Sequence, residues 1–207
     1  MGVVGCFLDL NLVMDSSASI HPNDWYIAKQ FVANVVSQFT IGPNNVQVAS
    51  VLFSTHATVE WGLTRHPDMA SLTQAILTLR YLEDQTNLND ALYLTRTEVF
   101  APGRGTRPGA IKVTVILTDG EDNEPYLGTP LTIENATECK NAGIRLMAIG
   151  VSNKVNQQRL QEIVSDPQRD YYAVADFSAL TSVVDQLRPE ICRTAPSMRT
   201  YSTRSRW

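Results

Sequence analysis

Hydrophobic and polar residues along this 207-residue chain alternate between two patterns, one typical of buried strands and one typical of helices. Residues 7–15 form a nearly continuous apolar run that stops abruptly at polar residues, which indicates a strand. Residues 22–39 place apolar side chains three and four positions apart, which predicts a helix with one apolar face, and Pro22 suits its first turn. Residues 113–117 are almost wholly apolar, as expected of a central strand covered on both faces.

The same alternation continues as far as residue 192. Further strands are predicted at 46–53, 58–63, 144–149 and 171–174, and further helices at 68–79, 89–100, 131–142, 156–164 and 176–191. This order predicts an α/β fold with a doubly wound, mostly parallel central sheet and helices on both faces. The short link after residue 53 predicts a hairpin, and therefore one antiparallel edge strand. Residues 5–192 form one domain in this prediction, and the basic residues 193–207 form a disordered tail.

Composition and charge exclude several classes of protein. With 43% hydrophobic and 18% charged residues, the chain has the composition of a globular protein. Four arginines lie in the tail at 193–207, so residues 1–192 hold 13 basic and 21 acidic side chains, a balance of −8. That acidity argues against nucleic acid as a partner. No apolar run reaches the ~18 to 20 residues that cross a bilayer, so membrane insertion is not expected.

Three polar loops carry the candidate chemistry. Asp15, Ser17 and Ser19 follow the first strand, Thr86 precedes a helix, and Asp119 follows the central strand. In open α/β sheets, ligands bind beyond the carboxyl ends of the strands, where we expect these loops to lie. Hydroxyls and carboxylates without His or Cys suit a hard divalent cation, with Mg²⁺ first, Mn²⁺ possible and Zn²⁺ disfavoured. Because this set holds few charged ligands, coordination positions remain open to water or to an incoming ligand.

Each loop has an ordinary interpretation when it is taken alone. The residues around Ser17 are typical of those that cap a helix, and Thr86 suits a cap or a loop hydroxyl. Asp119 is followed by Gly120, which is typical of a turn. Their joint location at one predicted edge of the sheet is what favours a metal site.

The motif D-x-S-x-S at Asp15, Ser17 and Ser19, with Thr86 before a helix and Asp119 in ILTDGED, resembles the metal-ion-dependent adhesion site of the von Willebrand factor type A domain. The resemblance covers roughly residues 5–192, including CKNAGIRLMAIGV at 139–151 and the closing segment at 176–192. It implies that Ser17 and Ser19 bind the cation directly. Thr86, Asp15 and Asp119 would bind it directly or through water. The remaining position would accept a carboxylate from a partner protein.

The branch of the family that the chain resembles implies its location and partners. The motif DSSAS and the flanking cysteines are similar to those of matrilins and of the non-collagenous modules of matrix collagens. The resemblance therefore implies a secreted adhesion module of the extracellular matrix, with collagen as the first candidate partner. Residues 1–15 lack the positive charge of a signal peptide, so we expect either an intracellular chain or a piece of a longer exported protein.

The sequence departs from the family pattern after Thr86. Family members often carry a second Thr and then a Gly there, whereas this chain has Leu88 and Asp90. The added negative charge of Asp90 would tighten metal binding and repel an acidic ligand.

The resemblance also implies a disulfide between Cys6 and Cys192, which bracket the domain. Such a bridge would stabilise the fold by about 5 kcal/mol on the chain-entropy model. The third cysteine, Cys139, lies in a predicted helix, where a buried small hydrophobe is expected. The triplet that begins at Asn135 permits N-glycosylation of a secreted chain, although such triplets also occur by chance.

Two other functions compete with adhesion through a metal. One is a structural or assembly module of the matrix whose contacts do not need the cation. The other is a metal-dependent hydrolase that uses Asp15 and Asp119. The hydrolase is disfavoured because Ser17, and not a second Asp, lies two residues after Asp15, and because no nucleophile motif is recognisable. We therefore expect a protein that is not an enzyme.

Overall fold

The computed structural model describes residues 6–120, 129–153 and 155–193, and within them it contains one six-stranded sheet. The strands are β1 (Leu8–Asp15), β2 (Val46–Phe53), β3 (Ala57–Trp61), β4 (Ile111–Thr118), β5 (Ile144–Val151) and β6 (Tyr171–Val174). Their spatial order is β3-β2-β1-β4-β5-β6. Every neighbouring pair is parallel except β2 and β3, which are antiparallel. The predicted doubly wound α/β fold is thereby confirmed.

Helices cover both faces of the sheet. They are α1 (Pro22–Ser37), α2 (Met69–Leu77), α3 (Leu88–Leu94), α4 (Thr129–Asn141), α5 (Gln157–Ile163) and α6 (Val184–Ile191). One hydrophobic core lies between the sheet and α1, α2 and α6, and a second lies between the sheet and α3, α4 and α5. The fold therefore has three layers, with β1 and β4 at its centre.

Two predicted helices are less regular than their sequence pattern indicates. The helix predicted at 176–191 begins as a 3₁₀ turn at Phe177–Val183 and becomes α-helical only at α6. The helix predicted at 89–100 ends in a π-helical turn at Thr95–Val99. There the Thr95 hydroxyl donates to the Ala91 carbonyl oxygen, and it accepts a hydrogen bond from Asn11 in β1. A side chain that hydrogen-bonds to its own helix in this way is a known cause of local bending.

Strand β1 is buried along its whole length because helices cover both of its faces. Leu8 and Leu10 belong to the core beneath α1, and Val13 belongs to the core beneath α3. Asp9 lies on the same face as Val13 and is fully buried, and it accepts hydrogen bonds from the backbone and the guanidinium of Arg107. This pairing explains how an acidic residue is tolerated inside a central strand.

The two ends of the described chain meet at the amino-terminal edge of β1. Cys6 and Cys192 form a disulfide, with their Cα atoms 5.6 Å apart. The buried guanidinium of Arg145 pairs with Asp170 and donates to the carbonyl oxygen of Glu190 near the end of α6. The chain therefore enters and leaves the domain at the edge opposite the carboxyl ends of β1 and β4.

The tail predicted at 193–207 lies, apart from Arg193, outside the described residues. Among the helices that are described, none has the length and apolar character to cross a membrane.

Candidate metal centre

Four of the five predicted ligands form one hydrogen-bonded cluster at the carboxyl ends of β1 and β4. The Ser17 amide donates to Asp15 Oδ1 across 3.0 Å. The hydroxyl oxygens of Ser17 and Ser19 are 2.9 Å apart, and the Ser19 hydroxyl donates to Asp119 Oδ1 across 2.9 Å. Because β1 and β4 are parallel neighbours, their carboxyl ends bring together residues that are about 100 positions apart in the sequence.

The fifth predicted ligand, Thr86, comes from a segment that lies along the loop after β1. The Ala18 amide donates to the Asp84 carbonyl oxygen across 2.8 Å, two residues before Thr86. Thr86 lines a cleft together with Thr118, the last residue of β4, and Gly120, which follows that strand. Its hydroxyl oxygen is buried and has no hydrogen-bond partner in the structure. Leaving a buried hydroxyl unpaired costs about 1–3 kcal/mol, so this atom is suited to binding a ligand.

The two carboxylates of the cluster differ in their surroundings. Burial, and next the charge of Asp119, raise the pKa of Asp15 to about 7, although hydrogen bonds from Ser17 and Thr118 act in the opposite direction. A carboxyl group with such a pKa titrates near neutral pH. A cation beside the pair would favour the ionised form of Asp15 and displace the proton.

The donor set fits a hard divalent cation. All five predicted ligands offer oxygen, as two carboxylates and three hydroxyls. The described residues contain no group of three or more His, Cys, Asp or Glu side chains placed to hold a metal, so any centre here depends on the hydroxyls. Asp15 and Ser17 are buried, whereas Ser19 is exposed, so the cluster has a closed base and an open side.

Two further buried hydroxyls, those of Thr118 and Ser16, join the loops around the cluster. Neither is among the ligands predicted from the sequence. Thr118 Oγ1 donates to Asp15 Oδ2 across 2.6 Å and accepts a hydrogen bond from the Gly120 amide. Ser16 Oγ accepts a hydrogen bond from the Leu82 amide across 2.8 Å. The sequence does carry a signal for Thr118, because it is a polar residue at the end of an otherwise largely apolar strand. No local pattern distinguishes Ser16 from the other serines of DSSAS.

The residues that depart from the family pattern have structural roles. Leu88 is 5% exposed and belongs to the core beneath α3. The Asp90 carboxylate accepts a hydrogen bond from the amide of Ala57, the first residue of β3, across 2.7 Å. The Asp90 carboxylate therefore joins the first turn of α3 to the β2–β3 hairpin.

Cys139 and Asn135 both lie on α4. Cys139 is buried and free, its thiol is 3.4 Å from the Leu92 carbonyl oxygen, and burial raises its pKa to about 12. Asn135 Nδ2, the atom that would carry a glycan, donates to Asn89 Oδ1 across 2.7 Å and so joins α4 to α3.

The acidic residues of the motif that follow Gly120 lie outside the described residues.

Comparison with known proteins places this chain in a family. The family model for the von Willebrand factor type A domain matches residues 9–186. Collagen alpha-1(XII) chain from Notophthalmus viridescens is 35% identical over 185 residues, which are 89% of this chain and 19% of that protein. Matrilin-1 from Mus musculus is 30% identical over 192 residues, which are 92% of this chain and 37% of that protein. The chain thus spans 19% of the length of one relative and 37% of that of the other.

Among solved structures, proximal thread matrix protein 1 from the mussel byssus is similar to this chain. The structure of that protein with a zinc-occupied MIDAS motif, the metal-ion-dependent adhesion site, superposes with a TM-score of 0.81 at 28% identity. The match covers 92% of this chain and 47% of that one. By the extent of these matches, the chain belongs to the von Willebrand factor type A domain family.

Proposed function

We propose that this domain is a divalent-cation-dependent protein-binding module of the extracellular matrix. Asp15, Ser17, Ser19, Thr86 and Asp119 would hold the cation. The observation that carries the proposal is the hydrogen-bonded cluster of four of these side chains at one edge of the sheet. The buried hydroxyl of the fifth, Thr86, has no partner and lies in the segment that contacts the loop after β1. When bound, the cation supplies an open position that accepts a carboxylate oxygen of a partner.

Charge and exposure both support an acidic ligand. The five ligands carry two carboxylates, which balance the charge of a divalent cation, so a third carboxylate does not meet an excess of negative charge. The exposed Ser19 marks the side from which a partner would approach. The net acidity of the domain does not oppose such a partner, because the ligand meets the metal and not the average surface.

Mg²⁺ is the cation we propose, with Mn²⁺ as the next candidate, because both prefer oxygen ligands. The mussel byssus protein has zinc in its own motif. Calorimetric titration should therefore also use Zn²⁺, although the absence of His and Cys from the cluster disfavours that cation here.

The partner we propose is an extracellular matrix protein, with collagen first. The similarity to collagen chains and matrilins supports this location, and the Cys6–Cys192 disulfide suits an oxidising compartment. The same similarity supports a role in adhesion and not in catalysis.

Isothermal titration calorimetry of the EDTA-treated, dialysed protein with Mg²⁺, Mn²⁺ and Zn²⁺ tests the metal half of the proposal. We expect one Mg²⁺ site in the wild type and at least a tenfold loss of affinity in Asp119→Ala. Asp185→Ala removes an exposed carboxylate on α6 and is the matched control, which should bind as the wild type does. Equal heats in the wild type and in Asp119→Ala would refute metal binding by this cluster.

Binding to immobilised collagen in Mg²⁺ and in EDTA tests the partner half. We expect binding in Mg²⁺ that EDTA and Asp119→Ala both abolish. Binding that survives EDTA would instead favour a structural or assembly module with metal-independent contacts. Hydrolysis of a phosphate ester that requires Asp15 would favour an enzyme.

A further inference from the structure

Ser16 lies between two predicted ligands, yet its side chain does not belong to the ligand cluster. It is fully buried, and its hydroxyl oxygen accepts a hydrogen bond from the Leu82 amide across 2.8 Å. Its amide donates to the Phe53 carbonyl oxygen across 2.9 Å, and its carbonyl oxygen accepts from the Glu83 amide across 3.0 Å. Ser16 therefore joins the loop after β1 both to the end of β2 and to the segment that leads to Thr86.

The segment at 81–86 has no regular secondary structure to hold it in place. Glu83 adopts a left-handed backbone conformation, with φ of 57°, which is uncommon for a residue other than glycine. Such a conformation costs about 1–3 kcal/mol and persists only where the surroundings enforce it. Two of the hydrogen bonds that enforce it are those from Leu82 and Glu83 to Ser16.

Two further contacts join the same two segments. The Ala18 amide donates to the Asp84 carbonyl oxygen across 2.8 Å, and the Tyr81 hydroxyl donates to the Ile20 carbonyl oxygen. Of the side chains in these contacts, only that of Ser16 is fully buried and lies directly beside a predicted ligand. Loss of its hydroxyl would leave the Leu82 amide without this partner and release the segment close to Thr86.

We propose that Ser16 is a positioning residue for the metal centre, one that acts by holding the segment at 82–86 so that Thr86 Oγ1 reaches the cation. The inference rests on the proposed function, because it assigns a role toward the same metal. Groups that hydrogen-bond directly to metal ligands change metal affinity by about 10–100-fold when they are removed. Ser16 acts on Thr86 one step further away, through the backbone of Leu82, so we expect an effect at the lower end of that range.

The test compares Ser16→Ala, Thr86→Ala and the double variant by calorimetry with Mg²⁺. We expect Ser16→Ala to weaken Mg²⁺ binding about tenfold. In the double variant Ser16→Ala should add nothing to the effect of Thr86→Ala, since residues that act as a unit are not additive. Ser165→Ala is the matched control: its hydroxyl accepts a hydrogen bond from the Leu146 amide across 2.9 Å, away from the metal loops. It should leave Mg²⁺ affinity unchanged.

Amide hydrogen exchange in EDTA gives a readout that does not depend on the metal. The Leu82 amide should be protected in the wild type and exchange faster in Ser16→Ala, while the Leu146 amide responds only to Ser165→Ala. A Leu82 amide that is unprotected in the wild type overturns the inference even if Ser16→Ala does not fold. Additive effects of Ser16→Ala and Thr86→Ala on Mg²⁺ affinity would also overturn the inference.

The two proposals fail in different ways. If the wild type binds no Mg²⁺, the proposed function is wrong and the role of Ser16 is wrong with it. If the wild type binds Mg²⁺ and Asp119→Ala does not, but Ser16→Ala binds as the wild type, then only the positioning role is wrong.

Discussion

The Thr118 hydroxyl donates a 2.6 Å hydrogen bond to Asp15 Oδ2, which joins the end of β4 to the end of β1. The same hydroxyl accepts a hydrogen bond from the Gly120 amide across 3.0 Å. Thr118 therefore orients the buried carboxylate and the start of the loop that carries Asp119. Hydrogen bonds to an ionised carboxylate are among the stronger ones in proteins, so this contact bears directly on metal affinity.

Thr118→Val tests this contact because valine keeps the shape of threonine and removes the donor. We expect Mg²⁺ affinity to fall about tenfold, the usual effect of removing a group that orients a metal ligand. Calorimetry with Mg²⁺ measures the change. Thr118→Ser keeps the hydroxyl and should retain most of the affinity. If the valine and serine variants bind Mg²⁺ equally well, the hydroxyl has no role in metal binding.

The raised pKa of Asp15 predicts an unusual dependence of stability on pH. Its value of about 7 lies above the ordinary value of 3.8, so between these limits the folded metal-free protein binds more protons than the unfolded chain does. The contribution of this group to stability is therefore present at low pH and is lost as the pH rises through 7. We expect the loss between pH 5 and pH 8 to be on the order of 1–3 kcal/mol. Saturating Mg²⁺ should oppose it, because the metal binds the ionised form.

Urea denaturation at several pH values, in EDTA and in Mg²⁺, measures this effect. Asp15→Asn is the control, since an amide does not titrate and other groups in the protein contribute equally to both curves. The quantity to compare is the difference in unfolding free energy between the wild type and Asp15→Asn. A difference that stays constant from pH 5 to pH 8 in EDTA would show that the Asp15 carboxyl is not perturbed.

Much of the fold is predictable because it depends on periodicity, which a sequence displays directly. The apolar run at 113–117 and the spacing at 22–39 already indicate central strands and covering helices, and β4 and α1 lie there. The carboxyl ends of the parallel strands β1 and β4 share one edge, which is why the loops that carry Asp15 and Asp119 can be assigned to one place. The segment that carries Thr86 connects α2 to α3, so its place beside them depends on contacts such as that between Ala18 and Asp84.

The remaining features depend on contacts between distant residues. Ser16 and Ser17 are identical in type and adjacent, yet one accepts a hydrogen bond from Leu82 and the other lies in the ligand cluster. The sequence shows the charge of Asp90 but not that its carboxylate accepts a hydrogen bond from the Ala57 amide. Thr95 fits a continuous helix, and only its contact with Asn11 distinguishes it. No local pattern contains these partners.

The buried pair of Asp9 and Arg107 predicts a large loss of stability without a loss of metal binding. Asp9 is fully buried, and Arg107 donates to it across 2.8 and 2.9 Å. Arg107→Met leaves the carboxylate without the guanidinium, which typically costs 3–5 kcal/mol. Urea denaturation measures the loss, and calorimetry should find Mg²⁺ affinity unchanged, since the pair lies near the other end of β1 from the metal loops.

A surface ion pair provides the control for this substitution. Arg80 pairs with Glu60 across 2.7 Å, but its side chain is 55% exposed, so Arg80→Met should cost less than about 1 kcal/mol. In Arg107→Met, replacing Asp9 with Asn should recover part of the lost stability by removing the buried charge. Equal costs for Arg80→Met and Arg107→Met would mean that burial of the Asp9 pair does not matter.

The three cysteines predict a definite pattern of thiol reactivity. Cys6 and Cys192 are joined, and Cys139 is buried with a pKa raised to about 12, so the folded protein should show no thiol that reacts at neutral pH. Unfolding without a reductant should expose one thiol, and peptide mapping under the same conditions should find Cys6 linked to Cys192. Replacing both linked cysteines with serine should lower the free energy of unfolding by about 2–5 kcal/mol, since the unfolded chain regains the freedom that the bridge removes. Cys139→Ser is the matched control because it leaves the bridge intact. Three reactive thiols in the unfolded, unreduced protein would rule out the bridge and, with it, the argument from the disulfide for an oxidising compartment.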